Sequence, residues 1–257
     1  MNRTAPRHRL LYSLPALGLL VSCHASVPVE TPASPDLAQR TSASIQPAAH
    51  AGSFQHYAVA SDQAEASRAG AQVLAAGGNA ADAAAATMLA LGVVNPSSSG
   101  LGGGGFALYY QASDRSLHFL DFRERAPGAA SPTMFVARPG EPDDQARMRS
   151  RLGGLAVGVP GEPAGIEALV KRFGRLDMAR VVAPALKLAR GGFLVGDYLA
   201  RAIGLSGRAL LLQTASQGWP KPAAAGATMR NPLLAETLQG RLAHSKRLFS
   251  QLSPGLA

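Results

Sequence analysis

Apolar and polar positions change rhythm several times between residues 61 and 127, and the succession reads helix, helix, Ser/Gly loop, strand, turn, strand. Asp62 with Glu65 three residues later forms a capping pair for the first helix, and Gly77-Gly78 is its stop signal. Asn79 and Asp82 repeat the device for a second helix that runs to about Gly92. Ala80, Ala81, Ala83, Ala84, Ala85 and Ala86 leave that helix without a polar face, so it is expected to be buried and to let its neighbours approach closely. Two apolar strands follow at about 105–110 and 117–122, separated by the turn residues Ser113 and Asp114. The rest of the chain reads as lead-in to this stretch or support for it.

Upstream, His56-Tyr57-Ala58-Val59-Ala60 has the pattern of a short first strand. Downstream, residues 128–151 form a polar connection with two Pro-rich turns, and Asp143 and Asp144 read as a solvated acidic pair in it. Gly153-Gly154 opens an apolar run, LAVGVPG, with the pattern of a buried strand ending at Pro160-Gly161. A helix over 162–173 carries Ile166, Leu169, Val170 and Phe173 on one side and stops at Gly174. Asp177 caps the next helix, which carries Val181, Val182, Leu186 and Leu188 and ends at Gly191-Gly192. Pro184 inside it predicts a kink or a restart. A further helical segment spans 197–217, Trp219 with Pro220 and Pro222 marks a turn, and a last helix spans 233–249.

The first 22 residues change the picture of where the protein acts. A basic start (Arg3, Arg7, Arg9) precedes the apolar stretch LLYSLPALGLLVS, which is short for a membrane span and contains Pro15; this is the pattern of a secretory signal. Leu20-Val21-Ser22-Cys23 resembles a bacterial lipoprotein box, which makes Cys23 the expected lipidation site and anchors the protein to a membrane in the periplasm or cell envelope. Cleavage after Ala25 by an ordinary signal peptidase is the alternative. Residues 23–54, rich in Ser, Thr, Pro, Gln and Ala, read as a flexible linker. Residues 55–257 are then a single domain of the α+β class.

Composition narrows the function further. The chain has 257 residues and a formal charge of +9, yet its arginines are scattered singly and no aromatic residues interleave with basic clusters, so nucleic acid is not the expected partner. One cysteine excludes an intrachain disulfide framework and a multi-thiolate metal site. The six histidines (His8, His24, His50, His56, His118, His244) are dispersed and never at ligand spacing on one helix, so no metal is expected.

The loop Gly100-Leu101-Gly102-Gly103-Gly104-Gly105 satisfies GxGxxG as a string. A dinucleotide site needs a strand before that string and a helix after it, whereas here a helix precedes and FALYY, a strand, follows. Two readings remain: a loop crossing closely packed backbone, or a pocket of backbone N–H groups for an oxyanion or a carboxylate. Ser97, Ser98 and Ser99 lack the surroundings of a nucleophile elbow and read as loop hydroxyls.

The runs AGGNAADAAAA, NPSSSGLGGGGF and DFRERAP, followed by AVGVPGEPAGIEALVKRFGRL, APALKLARGGFLV and RNPLLAETL, together resemble the large-subunit region of the gamma-glutamyltransferases, or glutathione hydrolases. The likeness covers about residues 55–249, with the motifs in register. It implies the αββα sandwich of the N-terminal-nucleophile hydrolases, of which this chain carries the N-terminal, large-subunit portion. It also implies a precursor that cleaves itself before a threonine, whose hydroxyl then carries the gamma-glutamyl group while its free amine acts as base. No threonine of residues 1–257 lies in that setting, so no catalytic residue is expected in this chain. The chain therefore reads as the front of a precursor cut off inside its large subunit.

In the family an arginine clamps the substrate α-carboxylate, and by motif that residue is Arg123 of Asp121-Phe122-Arg123-Glu124. A guanidinium fork suits a planar carboxylate, though Arg123 could equally pair with Glu124 or Asp121 at a strand end. Glu124 could orient Arg123 or meet the substrate amine, and both reach a site only if the strand has ended before them. The expected partners are gamma-glutamyl peptides such as glutathione and the small subunit, with no cofactor. A glutaryl-type beta-lactam side-chain acylase of the same fold, or a catalytically inactive envelope lipoprotein with a binding role, are the alternatives.

Overall fold

The structure is a computed structural model and describes residues 53–213 and 224–242. The signal segment, Cys23, nearly all of the linker, Trp219 and the end of the last expected helix lie outside the described residues. Those that are described build a layer of helices with an antiparallel hairpin laid against one side.

Helix α1 (Ala64–Ala75) ends as the paired glycines predict. Gly77 takes a positive φ of 91°, its N–H bonds Leu74 O, and Gly78 N–H bonds Val73 O, which is a Schellman stop. The start differs from expectation. Gln63 is the cap residue and no side chain caps the helix; Ser61 Oγ instead bonds Gln63 O and Ser67 Oγ and fixes the entry. Helix α2 (Ala80–Val94) opens with the capping box, Asn79 accepting from Ala81 and Asp82 amides and Asp82 accepting from the Asn79 amide. It continues two residues past Gly92, which serves close packing rather than termination: a Cβ there would lie 3.0 Å from Gly100 Cα of the returning loop.

Strands β1 (Phe106–Gln111) and β2 (Ser116–Asp121) pair antiparallel, Phe106 opposite Asp121 and Gln111 opposite Ser116. The turn between them closes on Asp114, whose Oδ1 accepts from the Ser116 amide at 3.0 Å. One face of the hairpin carries Ala107, Tyr109, His118 and Leu120 and leans on the helices, with Tyr109 stacked on Phe173 at 4.5 Å between ring centres. The other face is apolar too: Phe106, Leu108, Tyr110, Leu117 and Phe119 are all exposed.

After a short helix α3 (Asp143–Arg149) come α4 (Glu162–Phe173), α5 (Met178–Gly191) and α6 (Asp197–Gln213). Asp143 and Asp144 are solvated as expected, but in the first turn of α3, where acidic side chains face the positive helix end. Helix α5 runs unbroken through Pro184 and is capped by Asp177. A two-residue ribbon, β3 (Phe193–Leu194) with β4 (Thr228–Met229), joins the end of α5 to α7 (Pro232–Thr237), which Asn231 caps and a π-turn, Leu238–Leu242, extends.

Two expected strands are absent among the described residues. His56–Ala60 is irregular, and LAVGVPG forms a 3₁₀ turn (Gly154–Ala156) with Leu155 and Val157 exposed. Only Val159 makes a ladder contact, with Arg125 beyond the end of β2. An apolar run needs a neighbouring strand along its length to become a strand, and here it meets only one residue.

The core lies around α2, which packs on α1, α4 and α5 through Ala85, Ala86, Leu89, Ala90 and Val93 on its side and Val73, Ile166 and Val181 on theirs. Asp82 is fully buried at its head. Beyond the capping box, its Oδ2 accepts from the Arg175 amide at 2.9 Å, so one carboxylate joins the start of α2 to the turn between α4 and α5.

Candidate substrate-binding site

Everything at the site follows from how Phe122 is seated. Its side chain is 3% exposed and lies against glycines from two separate segments. A Cβ at Gly165 would come within 2.1 Å of Phe122 Cγ, one at Gly161 within 1.9 Å of Phe122 O, and one at Gly104 within 2.5 Å of the same oxygen. Backbone bonds lock the seat: Phe122 N–H to Gly105 O, Gly105 N–H to Phe122 O, and both Gly161 and Glu162 N–H to Gly103 O.

The regular strand ends at Asp121 and backbone pairing continues only through Phe122, so strand alternation no longer separates Arg123 from Glu124. The Arg123 amide bonds Asp121 Oδ1 at 3.0 Å, and Arg123 Nε pairs with Glu124 Oε2 at 3.1 Å. The guanidinium thus pairs with Glu124 while Asp121 holds only the backbone amide, and the Arg123 side chain stays 67% exposed and open to a ligand. Glu124 is half-covered and lines a cavity of about 730 Å³ whose wall includes the loop Ser97–Gly105, Phe122, Glu162 and Asn231. Arg123 stands beside Glu124 but does not line that cavity.

The Gly-rich loop is built for close passage. Gly103 N–H is taken by Gly100 O and Gly105 N–H by Phe122 O, so those two donors are not free for an oxyanion. Strand β1, not a helix, follows the loop, so the strand–loop–helix order of a dinucleotide site is not formed. Ser97 Oγ donates to Asn95 Oδ1 and Ser98 Oγ bonds the Tyr198 hydroxyl, as loop hydroxyls would. Among the described residues no group of three or more His, Cys, Asp or Glu side chains is placed to hold a metal ion, and no helix is long and apolar enough to cross a membrane.

Glu162 is the residue the sequence did not single out. It opens α4, is 5% exposed and lines the cavity with Glu124. Burial pushes its carboxyl up to about 7, the charge of Glu124 pushes the same way, and a bond from the Gly100 backbone opposes both. Its Oε1 is buried without a hydrogen-bond partner. An acid at the first position of a helix is ordinary dipole pairing, so nothing in the sequence separates this one from a surface acid.

The chain matches the family model of gamma-glutamyltranspeptidase over residues 66–248. It is 42% identical to glutathione hydrolase 3 of Arabidopsis thaliana over 185 residues, which are 70% of this chain and 28% of that protein. It is 43% identical to the glutathione hydrolase proenzyme of Escherichia coli over 142 residues, 55% of this chain and 24% of that one. Among solved structures, the gamma-glutamyltranspeptidase of Helicobacter pylori superposes with a TM-score of 0.68 at 34% identity, covering 74% of this chain and 54% of that one. A cephalosporin acylase from Bacillus halodurans gives a TM-score of 0.57 at 27% identity, covering 76% and 39% respectively. The chain thus spans about a quarter of the length of these two curated relatives.

Proposed function

Because the chain belongs to the gamma-glutamyltranspeptidase family, we propose that it forms the front, large-subunit portion of a glutathione hydrolase precursor and supplies the recognition of the gamma-glutamyl group. The observation that carries this reading is the family match over residues 66–248, joined to a guanidinium held open beside a carboxylate at the lip of the cavity. Arg123 grips the substrate α-carboxylate, and Glu124 holds the guanidinium plane and faces the substrate amine. The nucleophile is a threonine outside this chain. Its hydroxyl attacks the γ-carbonyl, the amine of the leaving peptide departs, and water or an amino acid releases the acyl group.

The exposed face of the β1–β2 hairpin supports the matching proposal for the fold. Five large side chains facing solvent on a sheet of two strands make a surface that a second sheet would cover. That is the inner layer of an αββα sandwich, with the small subunit as the partner that provides it. An acylase of the same fold is the second reading, favoured by the likeness to the Bacillus halodurans cephalosporin acylase. An arginine that recognises a terminal carboxylate suits a glutaryl side chain equally well.

The test compares a gamma-glutamyl substrate with an analogue lacking the α-carboxylate, in the full-length precursor and in its Arg123→Lys and Arg123→Ala variants. Lysine keeps the charge and loses the fork, so both variants should weaken use of the carboxylate-bearing substrate and leave the analogue nearly unaffected. An exposed ion pair is worth at most about 1 kcal/mol, and one sealed from water roughly 2–5 kcal/mol. A loss beyond about tenfold in kcat/KM therefore places the clamp under a cover. Equal losses on both substrates would assign Arg123 to structure.

Export with lipidation at Cys23 is part of the same proposal, resting on the basic start and LVSC. Intact-mass measurement of the membrane fraction should find an acylated protein beginning at Cys23. An unmodified protein retaining residue 1 would reject it.

A further inference from the structure

We propose that Glu162 is a positioning residue that sets Glu124 from behind the Gly-rich loop and, through Glu124, aims the Arg123 guanidinium. The proposal rests on Arg123 being the substrate clamp, but its structural part stands without that assignment.

The two acids come close to the same point beside the Gly-rich loop. A Cβ placed on Gly103 would lie 3.6 Å from Glu162 Oε2 and 3.7 Å from Glu124 Oε1. Because residue 103 has no side chain, nothing at that position stands between them. The other oxygen of Glu124, Oε2, is the one that holds Arg123 Nε. Glu124 therefore has one oxygen turned to Glu162 and one to the guanidinium, and whatever Glu162 does to the first is felt at the second. Glu162 itself is fixed: its amide bonds Gly103 O at 2.9 Å and its side chain is buried at the start of α4.

Chemistry gives this arrangement a direction. A buried carboxylate with an oxygen lacking any partner is costly, whereas the neutral acid is tolerated there and has an O–H to donate. The charge acting on Glu162 is that of Glu124, and the Gly-rich loop between them contributes backbone alone. In its protonated form Glu162 donates towards Glu124 Oε1 and leaves Glu124 Oε2 on Arg123. When Glu162 loses that proton to solvent, two carboxylates face each other across Gly103, and Glu124 swings away with the guanidinium it holds. The clamp is thus best aimed below the ionisation of Glu162 at about 7.

The experiment follows the glutamate side-chain carboxyl ¹³C and arginine Nε–H resonances by NMR from pH 5.5 to 8.5 on the 257-residue chain. Glu162→Gln keeps shape and donor but cannot ionise; Glu162→Leu loses the donor. In the wild type, the Glu124 carboxyl and the Arg123 Nε signals should shift together as Glu162 titrates. In Glu162→Gln both should hold the low-pH position throughout, and in Glu162→Leu Arg123 Nε should sit displaced at every pH. Signals of Glu124 and Arg123 that ignore the ionisation of Glu162, or Gln and Leu variants that behave alike, would overturn the proposal. If the Leu variant does not fold, the wild type against Glu162→Gln decides alone. Failure of the clamp assignment shows separately, in the two-substrate comparison with Arg123 variants, and leaves these shifts intact.

Discussion

Removing the Asp82 carboxylate should loosen two distant parts of the chain at once. Asp82 is fully buried and accepts at 2.9 Å from the amides of both Asn79 and Arg175, with the Leu176 amide at 3.5 Å as a weak third. Asp82→Ala strands the two short-bonded amides, each costing about 1–3 kcal/mol when left without an acceptor. Water admitted into the vacated space lowers this towards about 1–2 kcal/mol each, and alanine regains about 0.5 kcal/mol of helix propensity. The net expectation is a loss of roughly 1.5–3.5 kcal/mol. Both short bonds end on Oδ2, so Asp82→Asn can place its one acceptor oxygen there and keep them, and it should lose much less than Asp82→Ala. Urea unfolding should show a lower midpoint at unchanged slope. Hydrogen exchange should speed up both at the start of α2 and at the α4–α5 turn. A loss under about 1 kcal/mol, or faster exchange on one side only, would refute the view that this carboxylate ties the two together.

Three further outcomes are expected. Glu162 is held at about 7 against an ordinary 4.5, so the folded chain binds the extra proton between those values. Stability should fall as pH rises from 4.5 to above 7, by up to about 3 kcal/mol, and Glu162→Gln should flatten that slope in urea midpoints measured across the range. Gly161→Ala would put a Cβ 1.9 Å from Phe122 O and should destabilise by at least about 2 kcal/mol, read by thermal melting; a neutral result would mean the seat is looser than drawn. The 257-residue chain by itself should hydrolyse a gamma-glutamyl anilide at the buffer rate; turnover abolished by a substitution within it would locate a nucleophile here.

Local chemistry made much of this fold readable. Helix α4 is found over Glu162–Phe173 as its periodic apolar side and following glycine predict, and the hairpin sits within a residue of its expected strands. The Asn79–Asp82 box also forms, since all its partners lie within four residues. What could not be read depends on residues far apart in sequence. The second partner of Asp82 is ninety-three positions away, and the partnership of Glu162 with Glu124 exists only once the Gly-rich loop has passed between them. LAVGVPG failed for the same reason in reverse: its pattern promised burial, and burial depends on a neighbour that the pattern does not contain. The N-terminus of α1 departed locally: no side chain caps it, and the Ser61 hydroxyl bonds Gln63 O and Ser67 Oγ instead.

The seat of Phe122 closes off a common route to a sturdier protein. Replacing loop glycines with alanine is a standard way to restrict the unfolded chain, and it works where the native backbone leaves room. At Gly104, Gly161 and Gly165 the room is already taken by one phenylalanine and its carbonyl. A smaller residue at 122 would open space at Gly165 but not at the other two, which meet backbone atoms. Thermostabilisation by glycine replacement should therefore be directed to Gly128 or Gly196, where a Cβ would meet nothing within 4 Å. The aim of Arg123, one residue beyond this seat, depends on side chains that the sequence leaves out.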